Sequence, residues 1–229
     1  MTSFIKEIVS RNLRNPEKGL GAYLVEVTLS TVFTAFIKEI KFFVKRSTKI
    51  IELTVSKANI KPDHVVLEVG FGPGIGLIEA WKRIKDGKGR VYGIDISQAM
   101  HKSATQKLEK QIASGKVNLA IGDVMSLPFE DNTFDRIFHT NCFYFWSEPL
   151  SCAKELRRVM KPDALMLTGM NVAGVQKVKD DGYMKYGNPD LEMYLETLKS
   201  AGFSEIVREN IKHEGKNVVH TFIYASANK

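Results

Sequence analysis

From residue 62 onward, short apolar runs alternate with segments of helical period. Val65–Val69, Arg90–Ile94, Val117–Ile121, Phe134–Thr140 and Ala164–Met170 read as strands of the fully buried kind. Gly76–Ile84, Gln98–Ser114, Pro149–Met160 and Asp190–Ala201 read as the helices between them. This alternation predicts an α/β fold: a doubly wound, mostly parallel sheet with helices on both faces. The tail, Ser204–Ser226, reads as two more strands around His213-Glu214-Gly215-Lys216. No helix separates them, which predicts an antiparallel hairpin at one edge of the sheet.

The leading segment has a different rhythm. Residues 1–20 are polar and include the breakers Asn15-Pro16 and Gly19. From about Leu20 to Ser56 the period is helical, with Phe33, Phe36, Ile37, Ile40, Phe43, Val44, Ser47 and Ile51 on one face. Lys38, Lys41, Lys45 and Lys49 gather on the other face, within roughly 80° of arc. The prediction is an N-terminal helical cap over 1–61, folded into the same domain as the main body over 62–229.

Charge sharpens this division. Residues up to Lys61 hold eleven Lys/Arg against five Asp/Glu, and the remainder holds twenty-two against twenty-one, out of a net +7. The basic leading helix is a solvated face, or the footing for peripheral contact with an anionic membrane. The chain of 229 residues suits one sizeable core. Its first residues lack the apolar stretch of a secretory leader, and Val27–Ile37 is too short for a membrane span of about 20 residues. Cys142 and Cys152 are the two cysteines, a count that suits a reduced, cytoplasmic protein. No Cys/His cluster has metal-ligand spacing, so no metal is expected.

The candidate chemistry begins at Val65–Gly76, which reads VVLEVGFGPGIG with glycines at 70, 72, 74 and 76. A glycine-rich turn after the first strand of such a sheet lies at the switch point where ligands bind. A triphosphate loop needs a Lys-Ser or Lys-Thr after the glycines, and none follows. The dinucleotide fingerprint G-x-G-x-x-G fails, because Ile75 or Leu77 occupies its last position. Pro73 also removes an N–H that a pyrophosphate would use. S-adenosylmethionine carries no phosphate and fits better. Bare backbone at Gly70 and Gly72 admits its amino acid end, which Glu68 would orient. Asp95, closing the second strand, is placed for the ribose hydroxyls. Asp123 and the Val124 N–H, after the third strand, are placed for the adenine.

These residues resemble the class I S-adenosylmethionine-dependent methyltransferases, and most of all the group with the ubiquinone/menaquinone-biosynthesis and sterol enzymes. The matching stretches are LEVGFGPGIG at 67–76, GIDIS at 93–97, GDVMSLPFEDNTFDRIF at 122–138 and ELRRVMKPDALMLT at 155–168. The resemblance implies a Rossmann-like, seven-stranded sheet with the last strand antiparallel. It implies that Gly70, Gly72 and Gly74 form the cofactor loop, with Ile96 and Met100 flanking the adenine. Lys161-Pro162-Asp163 departs from the family's Pro-Gly-Gly turn.

The acceptor should face the end of the fourth strand, where the sequence reads HTNCFYFWSEP. Asn141 stands beside the methyl position and is a candidate for both cofactor and acceptor contact. His139, Asn141 and Tyr144 are the catalytic candidates, although His139 lies inside the strand and reads first as a core histidine. Phe143, Tyr144, Trp146 and Tyr183 are candidate lining for the acceptor pocket. Asn141-Cys142-Phe143-Tyr144 resembles the N-P-P-Y motif of amino-methylating nucleic-acid enzymes, but lacks both prolines. The expected substrate is therefore a small molecule, handled by a monomer or homodimer. Methylation of nucleic acid or protein through the basic N-terminus is the alternative. The segment Asn171–Pro189 is expected to serve as an acceptor lid or as a surface connection.

Overall fold

A computed structural model describes residues 47–182, 184, 187–212 and 218–227. The elements in order are helix α1 over 47–57, β1 Val65–Val69, α2 Ile75–Ile84, β2 Arg90–Asp95, α3 Gln98–Lys107, α4 Glu109–Ala113 and β3 Val117–Ile121. There follow β4 Phe134–Thr140, a 3-10 turn at Phe143–Phe145, α5 Pro149–Val159, β5 Met160–Met170, α6 Val172–Asp180, α7 Leu191–Ser200, β6 Ser204–Lys212 and β7 Val219–Ser226. The seven strands form one sheet in the order β3-β2-β1-β4-β5-β7-β6. β1 to β5 pair in parallel, while β7 runs antiparallel to both β5 and β6. The order reverses between β1 and β4, so their carboxyl ends open the crevice where ligands bind in such folds.

Strand alternation sends neighbouring apolar residues to opposite faces, and each face has its own core. On one side Leu67, Ile137, Met166 and Ile223 pack against Leu156 of α5 and Tyr194 and Leu198 of α7. On the other Val66, Val91, Phe138, Leu167 and Phe222 pack against Ile50 and Val55 of α1 and Leu77, Ala80 and Ile84 of α2.

The structure refines three sequence-based expectations. The described part of the N-terminal helix lies on a sheet face. It buries Ile50, Thr54, Val55 and Ala58, one position off the stripe that ran through Ser47 and Ile51. Gly169 of β5 makes this possible, because a Cβ there would collide with the Thr54 side chain. Arg136 Nε donates to the Ala58 carbonyl at 3.0 Å and Lys57 pairs with Glu209 at 2.9 Å, which pins the helix end. The stripe residues Lys38, Lys41 and Lys45 lie outside the described residues. Second, the helix expected over Gln98–Ser114 breaks at Leu108. That residue leaves helical geometry (φ −108°, ψ 16°) with its side chain fully buried. Third, the Asn171–Pro189 segment is more than a surface connection. It contains α6, and Val175 and Met184 sit in the core. Lys161-Pro162-Asp163 falls inside β5, where the pairing with β4 shifts register between Met160 and Leu165, and there Asp163 adopts φ 61°, a left-handed conformation that Asp tolerates in place of Gly.

Candidate functional site

The loop after β1 wraps the carboxyl ends of β1 and β2. Gly70, Gly72 and Gly74 take φ of 67°, 51° and 81°, which glycine adopts without steric cost. The Gly70 N–H donates to the Ile94 carbonyl at 2.8 Å, tying the loop to β2. A Cβ on Gly70 would lie 2.7 Å from Cys142 Sγ, so the β4–α5 loop packs directly on bare backbone. Gly76, in the first turn of α2, faces the Glu68 carboxylate so closely that a Cβ could not fit.

Two carboxylates flank this loop. Asp95 accepts from Gly72 N at 2.8 Å through Oδ2 and from Ser97 N at 2.9 Å through Oδ1, which fixes the orientation of its carboxylate. Burial raises its carboxyl above the ordinary range, opposed by those two N–H groups and by His101. Glu68 is buried with 3% exposure, and its Oε2 has no partner among the described residues. Burial first, and the Asp95 charge second, push its carboxyl well above the usual value, against one hydrogen bond from the Leu77 backbone.

Ser97 caps α3 by accepting from Met100 N at 3.2 Å. This turn leaves Ile96 beside Asp95 with 58% of its surface exposed, an apolar side chain without an apolar cover. Asp123 accepts from Met125 N at 2.9 Å and stays exposed, while Val124 is buried beneath it. The chain therefore brings Glu68, Gly70, Gly72, Gly74, Asp95, Ile96, Met100, Asp123, Val124 and Asn141 to the carboxyl edge formed by β1 to β4. Their donor set suits a cation without phosphate. A pyrophosphate at this loop would face both carboxylates, and Lys107 is bonded to the Pro73 carbonyl at 2.7 Å.

On the acceptor side Asn141 has φ 52° and donates its N–H to Gly169 O at 3.0 Å. Its Oδ1, together with Thr140 Oγ1 and Trp146 Nε1, is buried without a partner among the described residues. The expected pocket aromatics are mostly packed inward. Phe143 is 1% exposed and Tyr144 is 7% exposed. Phe143 stacks on Tyr194 with centroids 4.0 Å apart, and Trp146 lies 5.1 Å from the His139 ring. Burial lifts the Tyr144 hydroxyl beyond the usual phenol range and the Cys142 thiol to about 12. His139 is fully buried. Its Nε2 lies 2.9 Å from both Tyr194 OH and Thr168 Oγ1, which are 2.8 Å from each other. Desolvation lowers its pKa to about 3, so it is a neutral core histidine in this arrangement rather than an accessible base. Tyr183 lies outside the described residues.

The sequence gives no site role to Tyr194, and it shows Gly76 among the loop glycines without its contact to Glu68. Tyr194 shares a helical stripe with Leu191 and Leu198 and reads simply as core. For Gly76 the signal was its place as the last of the alternating glycines, two residues past Gly74, and in the structure it faces the acid of the preceding strand.

A family profile described as "Methyltransferase domain" matches residues 67–168. An uncharacterized methyltransferase of Bacillus subtilis, YdaC, is 28% identical over 167 residues, which cover 70% of this chain and 84% of that protein. The cycloartenol-C-24-methyltransferase 1 of Oryza sativa is 28% identical over 159 residues, 64% of this chain, and the match spans 45% of that longer protein. Among solved structures, a SAM dependent methyltransferase from Aquifex aeolicus superposes with a TM-score of 0.60 at 26% identity, covering 77% of this chain and 89% of that one.

Proposed function

Since the chain belongs to the class I S-adenosylmethionine-dependent methyltransferases, we propose that it methylates a small-molecule acceptor held at the carboxyl end of β4. S-adenosylmethionine supplies an activated methyl group, so the protein needs alignment and water exclusion more than a nucleophile of its own. In this reading Glu68 and the glycine loop orient the amino acid end. Asp95 holds the ribose hydroxyls with the carboxylate that Gly72 N and Ser97 N orient. Ile96 and Met100 cover the adenine faces, and Asp123 and Val124 take its edge. Asn141, whose buried Oδ1 has no partner among the described residues, orients the acceptor.

The observation that carries the small-molecule reading is the covering of the β4 loop. The Asn188 N–H donates to the Tyr144 carbonyl at 2.9 Å, and Met184 is buried with Tyr144 in one core. The segment after β5 thus folds back over the edge that a polymer would need open. Tyr144 is buried against Phe143 and Phe145 and offers no free ring to a base. A relative named for cycloartenol acts on a small acceptor, in keeping with this.

The test is transfer of labelled methyl from S-adenosylmethionine to fractions of a cell extract. Label in the low-molecular-weight fraction, with release of S-adenosylhomocysteine, is expected. Label in RNA, DNA or protein would overturn the small-molecule assignment in favour of a polymer acceptor.

A further inference from the structure

Glu68 is a carboxylate that meets no cationic partner among the described residues. Its side chain is 3% exposed. It packs against the bare backbone of Gly76 and leaves Oε2 without a partner among the described residues. From β2 the nearest charge is Asp95, of the same sign. From α2 it receives only the Leu77 N–H. The β4–α5 loop contributes the Cys142 thiol, which is itself neutral, and β4 contributes neutral His139 beside its register partner Val69. From α3, His101 acts on Asp95, and Lys107 is engaged by the Pro73 carbonyl on the outer side of the loop. Two carboxylates sharing one pocket cannot both ionise without cost, because each charge raises the other's proton affinity.

We propose that Glu68 holds a proton in the ligand-free protein and gives it up to solvent when the cofactor's ammonium group takes its place. This rests on the methyl-donor reading of the site and adds a specificity rule to it. The Oε2–H bond breaks, the proton passes to buffer, and the carboxylate then faces a fixed positive charge. One unit of positive charge replaces another, so the buried pair with Asp95 never stands fully ionised and uncompensated. Ligands with an amino acid end therefore displace the proton, and adenosine derivatives without one do not. The direction of the Glu68 shift agrees with this, since an isolated buried carboxyl retains its proton above the ordinary range.

The measurement is isothermal titration calorimetry of the intact chain in buffers of different ionisation enthalpy, at about pH 5.5 to 7, below the range where a free α-amino group titrates. S-adenosylmethionine and S-adenosylhomocysteine should each release close to one proton. Their affinity should strengthen by up to about tenfold per pH unit over the acidic part of that range. 5′-Methylthioadenosine, which lacks the amino acid end, should bind with no proton release. Glu68→Gln mimics the protonated carboxyl and should remain folded while abolishing both the release and the pH dependence. Binding of S-adenosylmethionine without proton release would overturn the proposal and leave the methyl-donor reading standing. Proton release that persists in Glu68→Gln would assign it to Asp95 and equally overturn it. A failure of S-adenosylmethionine to bind at all would instead overturn the methyl-donor reading.

Discussion

The Phe143 ring lies on the Tyr194 ring, with centroids 4.0 Å apart and planes 16° from parallel. The contact joins the loop after β4 to α7. Tyr194 is in turn fixed by its hydroxyl to His139 of β4 and Thr168 of β5. The loop that presents Asn141 is thus clamped from below by a residue far along the chain.

Truncation at Tyr194 should loosen this clamp. Tyr194→Ala removes a fully buried aromatic and should cost about 3–5 kcal/mol in urea unfolding. Tyr194→Phe keeps the ring stack and the His139–Thr168 hydrogen bond, and should cost about 1–2 kcal/mol. Equal losses in the two variants would argue that the stack contributes little.

The His139 imidazole should remain neutral in the folded protein. Burial puts its pKa at about 3, against 6.5 for an exposed histidine. Between those values the unfolded chain binds the extra proton, so His139 subtracts stability as pH falls through that window and contributes no pH dependence above it. In an NMR titration its ring signals should not move above about pH 5. A midpoint near that of a free histidine would restore it as a candidate base.

Asp95→Ala should weaken binding of S-adenosylmethionine by about a hundredfold or more, through loss of charge-assisted ribose hydrogen bonds and of the anchor on Gly72 N. Calorimetry gives the answer directly. Unchanged affinity would remove Asp95 from the site.

The glycines should separate by cause. Gly72→Ala meets no atom within 4 Å but must hold φ 51°, so only a backbone cost of about 1 kcal/mol is expected. Gly76→Ala drives its methyl into the Glu68 carboxylate, closest to Oε1 and 2.6 Å from Cδ. It should lose about 1–3 kcal/mol of stability and also weaken cofactor binding. Urea unfolding and calorimetry on both variants test the contrast, which fails if Gly76→Ala is the milder.

Cys142 and Cys152 should be inert. Burial lifts both thiols to about 12, and the thiolate is the reactive form. A chromogenic disulfide at about pH 8 should label neither in the folded protein and both in urea. Rapid labelling of Cys142 in the native state would contradict the packing of its half-buried thiol against Gly70.

The sheet was legible because its signals are local. Continuous apolar runs such as Val65–Val69 and Phe134–Thr140, separated by helical periods, specify strands covered on both faces whatever lies elsewhere. The glycine loop with Glu68, Asp95 and Asp123 was legible for a related reason. Close backbone approach and strand-end carboxylates have fixed offsets along the chain. What the sequence by itself determined was thus the parallel sheet, its hairpin edge and the class of ligand at its switch point. The tertiary structure alone decided which side chains meet. Phe143, Tyr144 and Trp146 read as pocket lining in a run of aromatics, yet Tyr194, some fifty residues on, draws Phe143 into the core. The helix before β1 read as packing over the domain, but its exact seat depends on Gly169, where a Cβ would meet Thr54. Period and spacing describe an element's own faces. Which face is covered depends on the volume left by residues distant in sequence, and that is settled only when the chain packs.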